Sequence, residues 1–156
     1  MNGVSLKSET KDIVVDETFP HSAASLWRAL TTPELMGRWL MTPADFEPIQ
    51  GKRFTYQTTA KGQWDGQINC EVLEAVPNER LSFSWKGGHE TNEGYGSRLE
   101  TTVTFTITPT EEGSRLQLVH AGFELPKNEV AFTGMGSGWP DVLRKIGAVA
   151  GTNEAL

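Results

Sequence analysis

Residues 138–150 read Gly-Trp-Pro-Asp-Val-Leu-Arg-Lys-Ile-Gly-Ala-Val-Ala, and the fold turns on how this stretch is read. Trp139, Val142, Leu143, Ile146 and Ala150 recur at helical spacing, while Arg144 and Lys145 fall on the opposite side. The spacing predicts a helix over 138–150 with one apolar stripe. Ser137 or Gly138 would cap it. Pro140 fits a first turn, where Asp141 also meets the positive end of the helix dipole. The preceding Gly134-Met135-Gly136-Ser137-Gly138 has the glycine content of a phosphate loop, but no strand leads directly into it and no Lys-Ser/Thr follows. It reads as a flexible approach to the helix.

A single apolar stripe needs a surface to cover it, and the residues upstream supply one. Leu99, Val103, Phe105 and Ile107 alternate with polar neighbours, as do Leu81, Phe83 and Trp85, and Leu116, Leu118 and His120 share one parity. Further back, Trp64, Gly66, Ile68, Cys70 and Val72 form one alternating set, with a phase slip at Val72-Leu73 that suggests a β-bulge. Phe54 and Tyr56 form another. Pro77-Asn78-Glu79 and Glu111-Glu112-Gly113 read as turns, and Gly87 to Ser97 as a polar loop. Each run has one apolar face, which predicts an antiparallel sheet covered on one side.

Before the sheet the period changes. Ile13, Val15 and Phe19 share one parity with Glu17 among them, a half-buried first strand. Pro20-His21-Ser22 ends it, Ser22 is placed to cap a helix, and Leu26, Trp27 and Leu30 recur at helical spacing. Pro33 opens a second short helix carrying Leu35, Met36, Trp39 and Leu40. The organisation expected is an arm over 1–11, one domain over 12–150 and a tail over 151–156. The class is α+β: a curved antiparallel sheet around a long C-terminal helix, with two short helices after the first strand.

Composition narrows the function classes. The 156 residues suit one domain with a single core. Fourteen Lys and Arg against twenty Asp and Glu leave a net charge of -6, with no basic cluster of the kind nucleic acids require, so no nucleic-acid partner is expected. No apolar run approaches a membrane span and the first residues lack a signal-peptide pattern, so neither membrane insertion nor export is expected. Cys70 is the only cysteine, which suits a reducing compartment. The expected location is cytoplasmic.

With these residues placed, the chain resembles the START-like, or SRPBCC, superfamily with its helix-grip fold. More narrowly it resembles the family named for the activator of heat-shock protein 90 ATPase. The resemblance is carried by 25–31 (SLWRALT), 33–39 (PELMGRW), 51–54 (GKRF), 66–68 (GQI), 77–81 (PNERL) with 83–85 (FSW), 120–123 (HAGF) and 138–139 (GW). These pieces occur in that order and cover about residues 12–150. The resemblance implies a cavity between sheet and helix, used by different members for lipids, polyketides, hormones or flavonoid-like molecules. It also raises two alternatives: a chaperone partner, or a cyclase- or dehydratase-like activity on a polyketide-like substrate. The eukaryotic activators carry an added N-terminal domain that residues 1–11 cannot supply. Glu17 stands where many relatives have a basic residue, so no family role is carried to it.

Catalytic and metal motifs are sparse. His21, His89, His120 and Cys70 have no ligand spacing, and neither HExxH, CxxC nor a G-x-S-x-G elbow occurs, so no metal or cofactor is expected. Cys70 reads as a core filler. His120 shares parity with Leu116 and Leu118; it is either tied to a carbonyl or hydroxyl in the core or turned to a ligand. Glu17 is the candidate partner for it. The candidate ligand-binding set is Trp64, Phe83, Trp85, Phe105, Leu118, Trp139 and Leu143 as walls, with His120 and Glu17 as polar groups.

Overall fold

The alternating apolar positions become β-strands in the computed structural model, which describes residues 9–155. β1 (Glu9–Phe19) is followed by α1 (Ala23–Thr31) and α2 (Pro33–Trp39). Then come β2 (Arg53–Gln57), β3 (Gln67–Val76), β4 (Arg80–Gly87), β5 (Leu99–Pro109) and β6 (Ser114–Leu125), and last α3 (Glu129–Ala155). The strands form one antiparallel sheet in the order β1-β6-β5-β4-β3-β2. The element order is the one the periodicities predict, and the architecture is the helix grip that the family resemblance implies.

Local chemistry sets the joints. Ser22 Oγ accepts from Ser25 N at 3.1 Å and caps α1, and Pro33 opens α2 where its missing N–H costs nothing. Between β3 and β4 the turn holds Asn78 at φ +65°, a conformation asparagine tolerates. The β3–β4 register shifts between Val72 and Glu74, where the phase slip stands in the sequence. Phe46, Phe54, Phe83, Phe105 and Trp39 meet edge to face or tilted across the inner side of the sheet. α3 covers this face with Trp139, Leu143, Ile146 and Ala150, all buried. Farther along, Gly147 lets α3 close on β1, since a Cβ there would overlap the Phe19 ring.

Four expectations need correction. α3 begins at Glu129 rather than Gly138, so the glycine-rich stretch is helix and not a loop, and Pro140 lies inside the helix. Three glycines and a proline argue locally against helix, but propensity is a weak bias that packing overrides. Second, β3 begins at Gln67, so Trp64 and Gly66 belong to the turn before it. Gly66 has φ +86° and a Cβ would strike the Thr58 carbonyl, which explains the strand's end there. Third, Glu9, Thr10 and Lys11 of the expected arm pair with β6, opposite Leu125, Glu124 and Phe123; residues 1–8 lie outside the described residues. Finally, the expected tail is helical through Ala155.

Candidate functional site

The sheet and α3 are packed tightly at one end and separate at the other. At the closed end, Phe83, Phe105, Leu118 and Leu143 are almost fully excluded from solvent and fill the space between them. At the open end lies a cavity of about 440 Å³. Its sheet wall holds Ile68, Trp85, Gly87 and Leu99, and its helix wall Ala131, Gly134, Met135, Gly138, Trp139 and Val142. Leu40 and Met41, just past α2, close one side. Tyr95 and Val130 are wall residues that reach solvent, so the cavity opens on their side.

The outer rim is built by two loops laced together. Trp64 and Tyr95 meet with their rings tilted and their centroids 5.8 Å apart. Tyr95 Oη donates to the Thr59 carbonyl at 2.6 Å, and Asn92 Nδ2 to the Lys61 carbonyl at 2.7 Å. Trp64 is itself oriented by its indole N–H, which donates to the Gln67 carbonyl at 2.9 Å. The base of α3 is anchored nearby by Asn128, which is buried: its amide donates to Ser97 Oγ at 3.1 Å and the Arg98 carbonyl at 2.8 Å.

Of the residues expected to line a cavity, Trp64, Trp85 and Trp139 stand in its wall. Phe83, Phe105, Leu118, Leu143 and His120 do not; their inward parity is right, but they lie where sheet and helix are in contact. Glu17 is also displaced from the site. It is half-buried on β1 opposite Leu116, whereas His120 lies opposite Ile13. Four residues of strand, about 13 Å, separate those two levels. The expected Glu17–His120 pair does not form, because parity gives the face of a strand and not its register.

His120 has other partners. Trp139 Nε1–H donates to its Nδ1 at 3.1 Å, and its Nε2 lies 2.8 Å from Thr101 Oγ1. Thr101 in turn donates to the Trp85 carbonyl at 2.9 Å. The chain of donors fixes the tautomer: Nδ1 must accept, so the ring proton sits on Nε2 and goes to Thr101. Every hydrogen-bonding position of the imidazole is used, which leaves no lone pair or proton for acid–base work on a ligand. Burial also depresses its pKa, to about 3.

That depression has a sign. Unfolded, the imidazole titrates near its ordinary 6.5; folded, it stays neutral far below that. Between the two values the unfolded chain binds the extra proton, so His120's contribution is complete above about pH 6.5 and declines as pH falls. At pH 5 the expected loss relative to neutral pH is about 2 kcal/mol. Urea unfolding at pH 5 and 7.5 measures it, and nitrogen NMR shifts of the folded imidazole should stay constant over the same range. An imidazole that titrates near 6 in the folded protein contradicts the buried neutral ring.

The remaining chemistry is quiet. Cys70 is buried in the core and its thiol pKa is pushed up to about 12 by that burial, so it stays protonated. Among the described residues no group of His, Cys, Asp or Glu is placed to hold a metal ion, and no helix is long and apolar enough to cross a membrane. The wall residues that the sequence reading misses do carry a signal. Ala131, Gly134, Met135 and Gly138 continue the stripe of Trp139 and Val142 backward at helical spacing, but the glycines at 134, 136 and 138 mask it as a loop.

A curved antiparallel sheet gripping a long helix around an apolar cavity defines the START-like, or SRPBCC, class. Within it, residues 20–151 match the model of the Activator of Hsp90 ATPase homolog 1-like protein family, and the chain belongs to that family. It is 27% identical over 133 residues to the mouse Activator of 90 kDa heat shock protein ATPase homolog 1, covering 85% of this chain and 35% of that protein. The chain thus spans about a third of the length of that curated relative. The crystal structure of protein MLL2253 from Mesorhizobium loti superposes with a TM-score of 0.77 at 37% identity, covering 89% of this chain and 96% of the other. DynU16, from the dynemicin biosynthetic locus, shares the fold with a TM-score of 0.69 at 21% identity, over 91% of this chain and 48% of its own.

Proposed function

We propose that this protein binds a small hydrophobic or aromatic molecule in the cavity between the sheet and the first half of α3. The observation that carries this reading is the cavity itself: about 440 Å³, within the size range of small-molecule sites, with four aromatic rings in its wall. Trp64, Tyr95, Trp85 and Trp139 offer flat faces and edges on which a planar ligand can stack. A ligand that binds only the folded state raises stability by mass action, by about 2.7 kcal/mol at one hundred times its dissociation constant. A thermal-shift screen of uncharged polycyclic aromatics is therefore expected to yield concentration-dependent rises in melting temperature. Trp85→Ala should weaken the hits, whereas Trp27→Ala, outside the wall, should leave their affinity unchanged. A screen in which none of them shifts the melting point removes the support for this reading.

A second reading follows from the family match: the domain docks on a heat-shock ATPase. It predicts a rise in the ATPase rate of heat-shock protein 90 when the purified chain is added. Ligand binding is not needed for it, so variants that fill the cavity should leave that rise intact.

A further inference from the structure

None of the described residues in the cavity wall carries a charge: their side chains are aliphatic, aromatic, methionine, glycine, threonine and serine. An ionised ligand group entering it would lose its hydration with no countercharge to meet it, which is strongly unfavourable. The ligand class is narrowed further by counting donors. Trp64 Nε1–H is taken by the Gln67 carbonyl, Trp139 Nε1–H by His120 and Tyr95 Oη–H by the Thr59 carbonyl. Trp85 Nε1–H has no acceptor among the described residues, although the ring is only 4% exposed and stands in the wall.

An indole N–H can only donate, so it asks for one kind of partner. The hydroxyls of Thr58 and Ser97 also stand in the wall, but a hydroxyl donates or accepts and selects nothing by itself. Tyr56 Oη is a second orphan donor, buried without a partner. Tyr56 lies outside the wall, so a ligand there does not reach it. Among the described residues of the wall, Trp85 is the one donor-only side chain left without a partner.

We propose that the cavity's ligand is an uncharged, flat ring system bearing a hydrogen-bond acceptor, such as a ketone or quinone oxygen, which takes the Trp85 indole N–H. This rests on the cavity reading and adds to it the charge and the polar group of the ligand. Once a ligand has displaced the water beside it, a buried donor left unpaired is costly and a paired one is not, so the acceptor separates otherwise similar ligands.

Three probes on one tricyclic framework test it on the full chain by equilibrium dialysis: anthracene, anthraquinone and anthraquinone-2-sulfonate. The wild-type protein should bind anthraquinone about tenfold or more tighter than anthracene, and the sulfonate least of all. Trp85→Phe keeps an aromatic ring without the N–H, so it should lose the preference for the quinone over anthracene, whatever its affinity for either. Equal affinity of wild type for anthracene and anthraquinone, tightest binding of the sulfonate, or an undiminished preference in Trp85→Phe each overturns this proposal while the cavity reading stands. If none of the three binds, the cavity reading falls and the acceptor proposal falls with it.

Discussion

Replacing Trp139 with alanine is expected to lower the unfolding free energy by about 3–5 kcal/mol, a large share of the roughly 5–15 kcal/mol that holds a typical domain folded. The ring is buried where three structures meet. It stands edge-on to Trp85, Phe105 and His120, with centroids 6.3, 6.2 and 5.8 Å away. Truncation leaves a void between sheet and helix and strips His120 Nδ1 of the donor it has among the described residues. That second loss can be isolated. Trp139→Phe keeps most of the volume but leaves a buried acceptor unpaired, which costs about 1–3 kcal/mol. Urea unfolding of both variants against wild type separates the two contributions. A loss below about 1 kcal/mol for the alanine variant, the range of surface substitutions, contradicts the packing described.

How much of the fold and the site is legible in the residues depends on which physical quantity each feature needs. Strand faces need only parity, and parity in β4, β5 and β6 places Phe83, Phe105, Leu118 and His120 inward correctly. The α1 cap needs only a local side chain, and Ser22 supplies it. Register is another matter. Whether Glu17 meets His120 depends on how β1 slides against β6, and nothing within either strand records that. The cavity is harder still. Its position depends on where α3 departs from the sheet, so residues of identical parity are core at one level and wall at another. The start of α3 is hidden because Gly134, Gly136, Gly138 and Pro140 each disfavour helix in isolation. Only the stripe from Ala131 to Val142 shows that the helix face continues through them. Asn128, the buried anchor of that helix, gives no periodic signal at all.

Those glycines carry the second large effect. A glycine inside a helix destabilises it by roughly 0.5–1 kcal/mol relative to alanine, and at Gly134 and Gly138 no close packing requires one: an added Cβ meets no atom within 4 Å. Both positions are in the cavity wall, so what their missing side chains preserve is room. Side chains on a helix lean toward its N-terminus, so a leucine at 138 would cover the turn holding Gly134 and Met135, and one at 134 the turn holding Val130 and Ala131. The double variant Gly134→Leu/Gly138→Leu is therefore expected to fold, to melt at higher temperature than wild type, and to lose at least a hundredfold in affinity for any ligand found in the screen. Gly138→Ala is the control: it should gain about 0.5–1 kcal/mol of stability and keep most of the affinity, because a methyl group occupies little of the cavity. The opposition of the two readouts is what makes the test specific. Damage to the fold lowers stability and binding together, whereas filling a ligand site raises the first and removes the second, the exchange expected where a functional site is kept open against the preference of the helix. If the leucine variant binds as wild type does, the ligand does not occupy this space. A fall in its melting temperature would instead show that the helix wall is packed more closely than the open positions at 134 and 138 imply.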